Sequence, residues 1–545
     1  MPIALPIARR RRLAPVVVLA LLATACGSTV QGTTASVNGG APGSALSGSG
    51  GELGGSGSAT GTSGSAPGTT SGTGGSFAGT STTGSGTGTG SSGGFSTTGS
   101  SGSTGPAAGS TGALPPPNAP QTTPGVTAKE IYVGLVYDEN AGAVNQAAGV
   151  GSVTTGDSKA NSRAIIDDIN AHGGVAGHKL VPVYARFDSN STQTFDQQYA
   201  AICQQFTQDS PRVFAVIDDA DLVESYRKCL TNAGVGTLST SLPSVGQDTF
   251  SKYPGLIQLG YPNLDRLAAY EVTPLVEQKY FTPWNNLTGQ PAATGAVKVG
   301  ILTYSNTPFT HAVDTYLVPA LKKLGYDPLV ARIDQVSSAS GYGTQGAAVK
   351  SAQLTFASNG ITHVISFEAN GGLSTLFLPT ARSQGYYPRF GINSASAFEA
   401  LNEAGIVDKQ QLNGAVGYGW LPSVDLLTAE NPLDGPYSSA NRRYCLKVMR
   451  DKGITFTSGN AETVALGACS DLYLLKTALD KNPHQITLRS LISTIESLGS
   501  SYQRAGSIGM AFQPGRHDPT NKAYHWAYVA SCNCFRYSGP LQTVP

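Results

Sequence analysis

The sequence predicts an α/β protein with two doubly wound parallel-sheet lobes joined by a hinge, preceded by a signal peptide and a disordered tether. Three observations predict the lobes. Runs such as Val213-Phe214-Ala215-Val216-Ile217 are apolar on both faces, as strands covered on two sides must be. Segments of helical periodicity separate these runs, the pattern of a parallel sheet with crossover helices. The alternation breaks at 289–295 and restarts, and the 420 residues from Val126 to Pro545 suit two lobes better than one core.

The chain begins with a basic n-region, Arg9 to Arg12, and an apolar core, Leu13 to Leu22. Ala23-Thr24-Ala25-Cys26-Gly27 then supplies a small-residue cleavage site with cysteine just after the cut. Residues 1–25 resemble a bacterial lipoprotein signal, which implies acylation of Cys26 and attachment to the outer face of the cell membrane; an ordinary secretory signal is the alternative. The apolar run is too short for a transmembrane helix. Across 26–125 the sequence is mostly Gly, Ser, Thr and Ala, and Glu52 is the only charged side chain from Gly27 to Gly125. Such a segment cannot bury enough apolar surface to offset chain entropy and is predicted to stay disordered. As a flexible coil its ends would lie roughly 55 Å apart, enough to carry a domain through a cell-wall layer.

The folded part reads in order. Ile131 to Tyr137 is a β-rich run, Asn161 to His172 a helix ending at Gly173-Gly174, and Leu180 to Tyr184 a strand. A helix over 195–206, a strand over 213–217, a helix over 222–232 and a strand over 235–238 complete the first set. After the break come a strand over 297–304 and a helix whose Val313, Leu317, Ala320, Leu321 and Leu324 share a face. A helix over 346–358, a strand over 363–367, a helix over 373–384 and a strand over 389–392 follow. Helices return over 440–452, 462–481 and 488–498, and a strand over 525–529 closes the chain.

Cysteine usage fits an oxidising, exported location. Besides Cys26 there are six, and their distribution suggests Cys203 with Cys229, Cys445 with Cys469, and Cys532 with Cys534, among fifteen possible pairings. The first two loops, each about 25 residues, would contribute roughly 3 kcal/mol apiece on the chain-entropy account. The third pair is near the distance limit for cysteines two apart on a strand. Neither Cys532-Asn533-Cys534 nor the seven histidines show metal-ligand spacing, so no metal or cofactor is implied.

Composition excludes other classes. With 35 basic and 34 acidic side chains, and no basic block beyond the signal, nothing suggests nucleic-acid binding. No strand-helix turn carries a Gly-x-Ser-x-Gly elbow, and no phosphate loop appears, so nothing points to an enzyme.

The run from strand 131–137 through His172-Gly173-Gly174-Val175-Ala176-Gly177, strand 180–184 and Phe187-Asp188-Ser189 resembles the type I solute-binding proteins of ABC importers. The resemblance is to their branched-chain amino-acid-binding, or Leu/Ile/Val-binding, group. It continues through Ala233-Gly234-Val235 and Gln384-Gly385-Tyr386 and spans nearly all of 127–535. It implies a periplasmic binding protein-like fold with a small solute held between lobes, a permease and paired ATPases as partners, and lobe closure about a hinge. A ligand-sensing receptor of the same fold is the alternative. The expected crossings near 290, 414 and 510 divide the chain into 126–290 plus 415–510 and 291–414 plus 511–545.

Open parallel sheets place ligands beyond the carboxyl ends of their strands. That rule selects Asp138, Asp218 to Asp221 with Asp219 and Ala220 foremost, Ser239 to Ser241, Ser305 to Phe309, Glu368 to Gly371 and Ser394 to Ser396 as candidate ligand contacts; the resemblance adds Thr155 and points to Phe309 as a stacking ring. Helix caps, turns and core packing are the plainer readings of the same residues. Two departures matter. Relatives meet the ligand carboxylate with hydroxyls and N–H groups after the third strand, where this chain has Asp218-Asp219-Ala220-Asp221, and hold the ammonium with an acidic residue where this chain has Asn393-Ser394-Ala395-Ser396. The expectation is therefore a neutral or cationic solute, such as an amide or amine, held by Asp219, Glu368 and the serines, rather than a plain amino acid.

Overall fold

A computed structural model describes residues 123–147, 151–218, 223–240 and 244–545. The signal peptide, Cys26 and the tether, together with Asp219, Ala220 and Ser241, lie outside the described residues.

The first sheet is five parallel strands in the order β2-β1-β3-β4-β5: β1 Glu130–Asp138, β2 Lys179–Phe187, β3 Ala215–Asp218, β4 Gly236–Ser239 and β5 Leu256–Gln258. A two-stranded hairpin, β6 Trp284–Asn285 and β7 Gln290–Pro291, precedes the second sheet. That sheet has seven strands in the order β14-β13-β12-β11-β10-β8-β9. They are β8 Val299–Tyr304, β9 Leu329–Ile333, β10 His363–Phe367, β11 Arg389–Asn393, β12 Val416–Gly419, β13 Lys522–Val529 and β14 Cys534–Thr543. β9, β8, β10, β11 and β12 run parallel, whereas β13 and β14 add antiparallel. Every residue of β8, β10 and β11 is buried, as their apolar runs predict for strands covered on both faces.

The lobes share a packing device. A Cβ on Gly134 of β1 would meet the ring of Phe206 at 3.0 Å, and one on Gly300 of β8 would meet Phe356 at 3.0 Å. In each lobe a helix phenylalanine thus rests directly on a glycine of the first strand, which lets the helix approach the sheet closely. Polar side chains set helix starts: Asp157 accepts from the Ala160 amide, and Thr194 forms a reciprocal capping box with Gln197.

The crossings differ from expectation at two of three places. Leu259 belongs to the first core but Tyr261 to the second; Leu426 belongs to the second and Leu433 packs on the first; Phe512 belongs to the first and Ala523 to the second. Residues 261–280 and β12, expected in the first lobe, therefore build the second. The Gly/Pro-containing break at 289–295 includes a turn of the β6–β7 hairpin, so it marks a turn rather than a boundary. The true crossing follows β5, three residues long, which leaves little sequence signal.

At the hinge, Arg266 spans separate chain segments. Its guanidinium pairs with buried Asp518 at 2.6 Å and donates to the carbonyls of Thr520 and Val544 at 3.0 and 3.1 Å. Asp518 also accepts from the Asn263 amide at 2.7 Å.

All three disulfides expected from the sequence form: Cys203–Cys229, Cys445–Cys469 and Cys532–Cys534. The last has a Cα separation of 5.2 Å, because Cys532 and Asn533 lie in the turn before β14 instead of on a strand, and Asn533 takes φ 52°. Among the described residues no helix is long and apolar enough to cross a membrane.

Candidate functional site

Strand ends of the second lobe and a loop of the first line a cavity of about 320 Å³. Its second-lobe wall begins with Tyr304, the last residue of β8, and continues through Gln335 and Val336 after β9 and Tyr342 and Gln345 in the next helix. Ala369 and Asn370 follow β10, and Leu376, Ala397 and Leu401 complete the wall. The first lobe contributes Val144, Asn145, Val153 and Thr155 from the segment after β1, with Phe195 and Asn460. The strand-end rule therefore holds in the second lobe, while the first lobe presents mainly a loop.

That loop is fixed from inside. Asn145 donates to the Val153 carbonyl at 2.9 Å, Asn460 donates to the Thr154 carbonyl at 2.9 Å, and the Thr154 and Ser458 hydroxyls meet at 3.1 Å. Three hydrogen bonds then join the lobes around the cavity. The Ser152 hydroxyl donates to the Ala404 carbonyl at 2.7 Å, the Phe195 amide to the Ser337 carbonyl at 2.8 Å, and the Gly459 amide to Glu403 at 3.2 Å.

Two phenols give the cavity polar character. Tyr304 packs edge-on against Phe309, ring centroids 5.2 Å apart, and its hydroxyl has no hydrogen-bond partner among the described residues. A Cβ on Gly372 would come within 2.6 Å of that hydroxyl, so the glycine keeps its place open. Burial, with the Glu368 carboxyl second, raises the Tyr304 pKa; burial, with Asp138 second, raises that of Tyr342. Both rings stay neutral and able to donate. Gln345 spends its amide N–H on the Asp334 carbonyl at 3.0 Å, leaving its oxygen free to accept.

Of the residues selected from the sequence, Thr155, Ala369 and Asn370 line this cavity. Phe309 is 1% exposed and stands behind Tyr304, between it and Phe367. Glu368 is buried with its carboxylate turned away from the solute space: it accepts from Ser366 at 2.6 Å, from Ser374 and from the Leu373 amide. It thereby caps the helix Gly372–Ser383, where a negative charge suits the N-terminal dipole. The Ser394 hydroxyl likewise points into the core, donating to Asp425 at 2.6 Å and accepting from the Trp420 amide at 2.8 Å. Asp138 folds the turn after β1 by accepting from the amides of Asn140 and Ser189. Ser239 is buried at the tip of β4 and lines no part of the cavity.

Tyr304, Tyr342 and Gln345 were not selected. For Tyr304 the signal was present, since selection after β8 began one residue too late, at Ser305. For Tyr342 and Gln345 it was weak, because β9 is a half-exposed edge strand that the apolar pattern does not reveal.

Two sheets with strand orders that switch about the first strand, three crossings and a cavity between the lobes define the architecture. The fold is that of the type I substrate-binding proteins. No family model matches the chain, and no curated protein matches it. Among solved structures, an ABC transporter substrate-binding protein from Aeropyrum pernix superposes with TM-score 0.54 at 13% identity, over 77% of this chain and 97% of that one. A solute-binding protein from R. palustris, in complex with 4-hydroxybenzoate, gives 0.53 at 13% identity over 76% and 98%. An extracellular ligand-binding receptor from Verminephrobacter eiseniae gives 0.51 at 12% over 75% and 100%.

Proposed function

We propose that this protein is the extracytoplasmic substrate-binding lipoprotein of an ABC importer, held to the membrane through Cys26 and presenting a small solute to a permease and its ATPases. The reading rests chiefly on one observation, a cavity walled by both lobes and rimmed by hydrogen bonds between them. A solute touching both walls favours the closed arrangement, which is the state a permease can distinguish.

The walls narrow the solute. Val144, Phe195, Leu376 and Leu401 supply apolar surface, while neutral Tyr304 and Tyr342, the Gln345 oxygen and Thr155 supply hydrogen bonds. Glu368, engaged by its own helix, is withdrawn as a counter-ion for an ammonium, so a cationic solute loses the support that the sequence suggested. Asp219 lies outside the described residues, and its part in the site stays a proposal. The walls suit a neutral body with one or two hydrogen-bonding groups, such as an aromatic amide or phenol. The R. palustris protein was solved in complex with 4-hydroxybenzoate, and the neutral amide of that hydroxylated aromatic is a sensible first probe.

A thermal-shift and calorimetric screen with 4-hydroxybenzamide, benzamide and leucine tests this. A ligand at about a hundred times its Kd stabilises by roughly 2.7 kcal/mol. Binding of either aromatic, weakened about 3- to 10-fold by Tyr304→Phe, is the expected result on the usual net worth of a hydrogen bond. Leucine bound to the exclusion of both aromatics, with Tyr304→Phe silent, would overturn the solute class.

A further inference from the structure

We infer that the Cys532–Cys534 disulfide is a thiol–disulfide exchange site whose redox state is transmitted to the wall of the solute cavity. The bond closes a ring with one residue between its cysteines, whereas the other two disulfides span 26 and 24 positions. On the chain-entropy account so short a loop constrains the unfolded chain least, so global stability gives this bond the weakest reason to exist. Cys532 is partly exposed, as is Cys229 of the first pair, whereas Cys445 and Cys469 are both buried. Cys532 lies in a surface turn, whereas Cys203 and Cys229 lie on helices, and a partly exposed cysteine in a turn is open to attack by a dithiol-bearing reductant.

The turn closed by this disulfide is bonded to one short helix, Phe398–Glu403. Asn402 donates to the Asn533 carbonyl at 2.9 Å, and the amide of Phe535 donates to Glu399. Asn402 and Glu399, three apart on one face, are themselves joined at 2.8 Å. The same helix carries Ala400 and Leu401 in the cavity wall. Its C-terminal end reaches the opposite lobe, through Glu403 to the Gly459 amide and through the Ala404 carbonyl to Ser152. One helix thus touches the disulfide turn, the solute space and the lobe contact.

The chemistry balances with a dithiol as co-reactant. One thiolate attacks the Cys532 Sγ; the S–S bond breaks and its electron pair leaves on the Cys534 Sγ, which takes a proton. The second thiolate of the reductant then attacks the mixed disulfide and releases Cys532, so two electrons and two protons pass to the pair while the reductant becomes a disulfide. Opening the ring frees Asn533 from its left-handed conformation and loosens the two bonds that hold the helix.

Full-length protein treated with graded dithiothreitol, alkylated and mapped by mass spectrometry tests the first half. Cys532 and Cys534 should label at reductant concentrations at least 10-fold below those that open the other two pairs. Hydrogen exchange tests the second half, with residues 398–404 exchanging at least 3-fold faster in the reduced protein while Glu130–Asp138 stay unchanged. The Cys532→Ser/Cys534→Ser variant should reproduce that pattern, and Asn402→Ala should produce it with the disulfide intact. Reduction of all pairs together, or exchange at 398–404 that ignores the redox state, would overturn the inference. Neither readout uses a solute, so the outcome is separable from the importer reading.

Discussion

Replacing Asp425 with asparagine should flatten the pH dependence of stability in the second lobe. Asp425 is fully buried, and one carboxylate oxygen accepts from Ser394 at 2.6 Å and the Leu421 amide at 2.9 Å, with Tyr537 also donating. The other oxygen, Oδ1, has no partner. Burial pushes the carboxyl from an ordinary 3.8 up to about 7, against the opposing hydrogen bonds of Ser394 and Tyr537. A folded pKa above the unfolded one means that the proton is bound more tightly in the folded state. Its stabilising contribution is complete below pH 4, erodes as pH rises and is gone above about 7. Between pH 5 and pH 8 the loss from this group is roughly 3 kcal/mol, at about 1.4 kcal/mol per pH unit across the interval where only the unfolded form is ionised. Asparagine keeps an acceptor for Ser394 and Leu421 and places its NH2 where the unpartnered oxygen stands, without a charge to lose. Urea unfolding followed by tryptophan fluorescence reads the relevant region, since Trp284, Trp420 and Trp526, the three tryptophans of the sequence, all lie in the second lobe. The wild type should be more stable at pH 5 than at pH 8, and Asp425→Asn should remove about 3 kcal/mol of that difference. An unchanged pH dependence in Asp425→Asn would refute the assignment of the proton to this carboxyl.

Two further outcomes follow from the geometry. Gly372→Ala places a methyl within 2.6 Å of the Tyr304 hydroxyl; since φ at Gly372 is not left-handed, the fold should keep its melting temperature within a few degrees while solute affinity falls about 10-fold or more by calorimetry. Arg266→Ala strands the buried Asp518 carboxylate at the hinge and should cost roughly 3–5 kcal/mol in urea unfolding, partly restored by adding Asp518→Asn; a loss below about 1 kcal/mol would contradict a clamp there.

Much of the fold was legible because its strands are unambiguous. His363–Phe367 matches its predicted bounds, and the helices over 440–451 and 488–497 depart from theirs by a single residue. Apolar runs and 3.6-residue periodicity reach only elements that bury a face. β9 and β14 are edge strands with alternating or exposed residues, and β5 is three residues long, so none carries such a pattern. The site was legible as a place, not as a set of side chains. Sequence position says that Glu368 follows a strand; it cannot say that the helix after it takes both carboxylate oxygens. Ser394 was chosen on the same logic and is claimed by Asp425, a residue 31 positions away whose demand no local pattern shows.

The distribution of contacts explains why the cavity resists local reading. Its first-lobe wall depends on Asn460 and Ser458 holding the Thr154 region across sequence separations of 306 and 304 residues. Those partners sit on the helix Gly459–Asp480 and its N-cap, which return to the first lobe only after the chain has built most of the second. The wall is therefore completed by pairings among the longest-range of the described residues, and their loop-closure entropy must be met before they form. A residue near the start of the folded part, such as Thr155, becomes part of a binding surface only when a segment three hundred positions later has docked beside it. The three crossings are thus more than a hinge, because without the return to the first lobe at the second crossing the segment after β1 would keep only its local Asn145–Val153 bond.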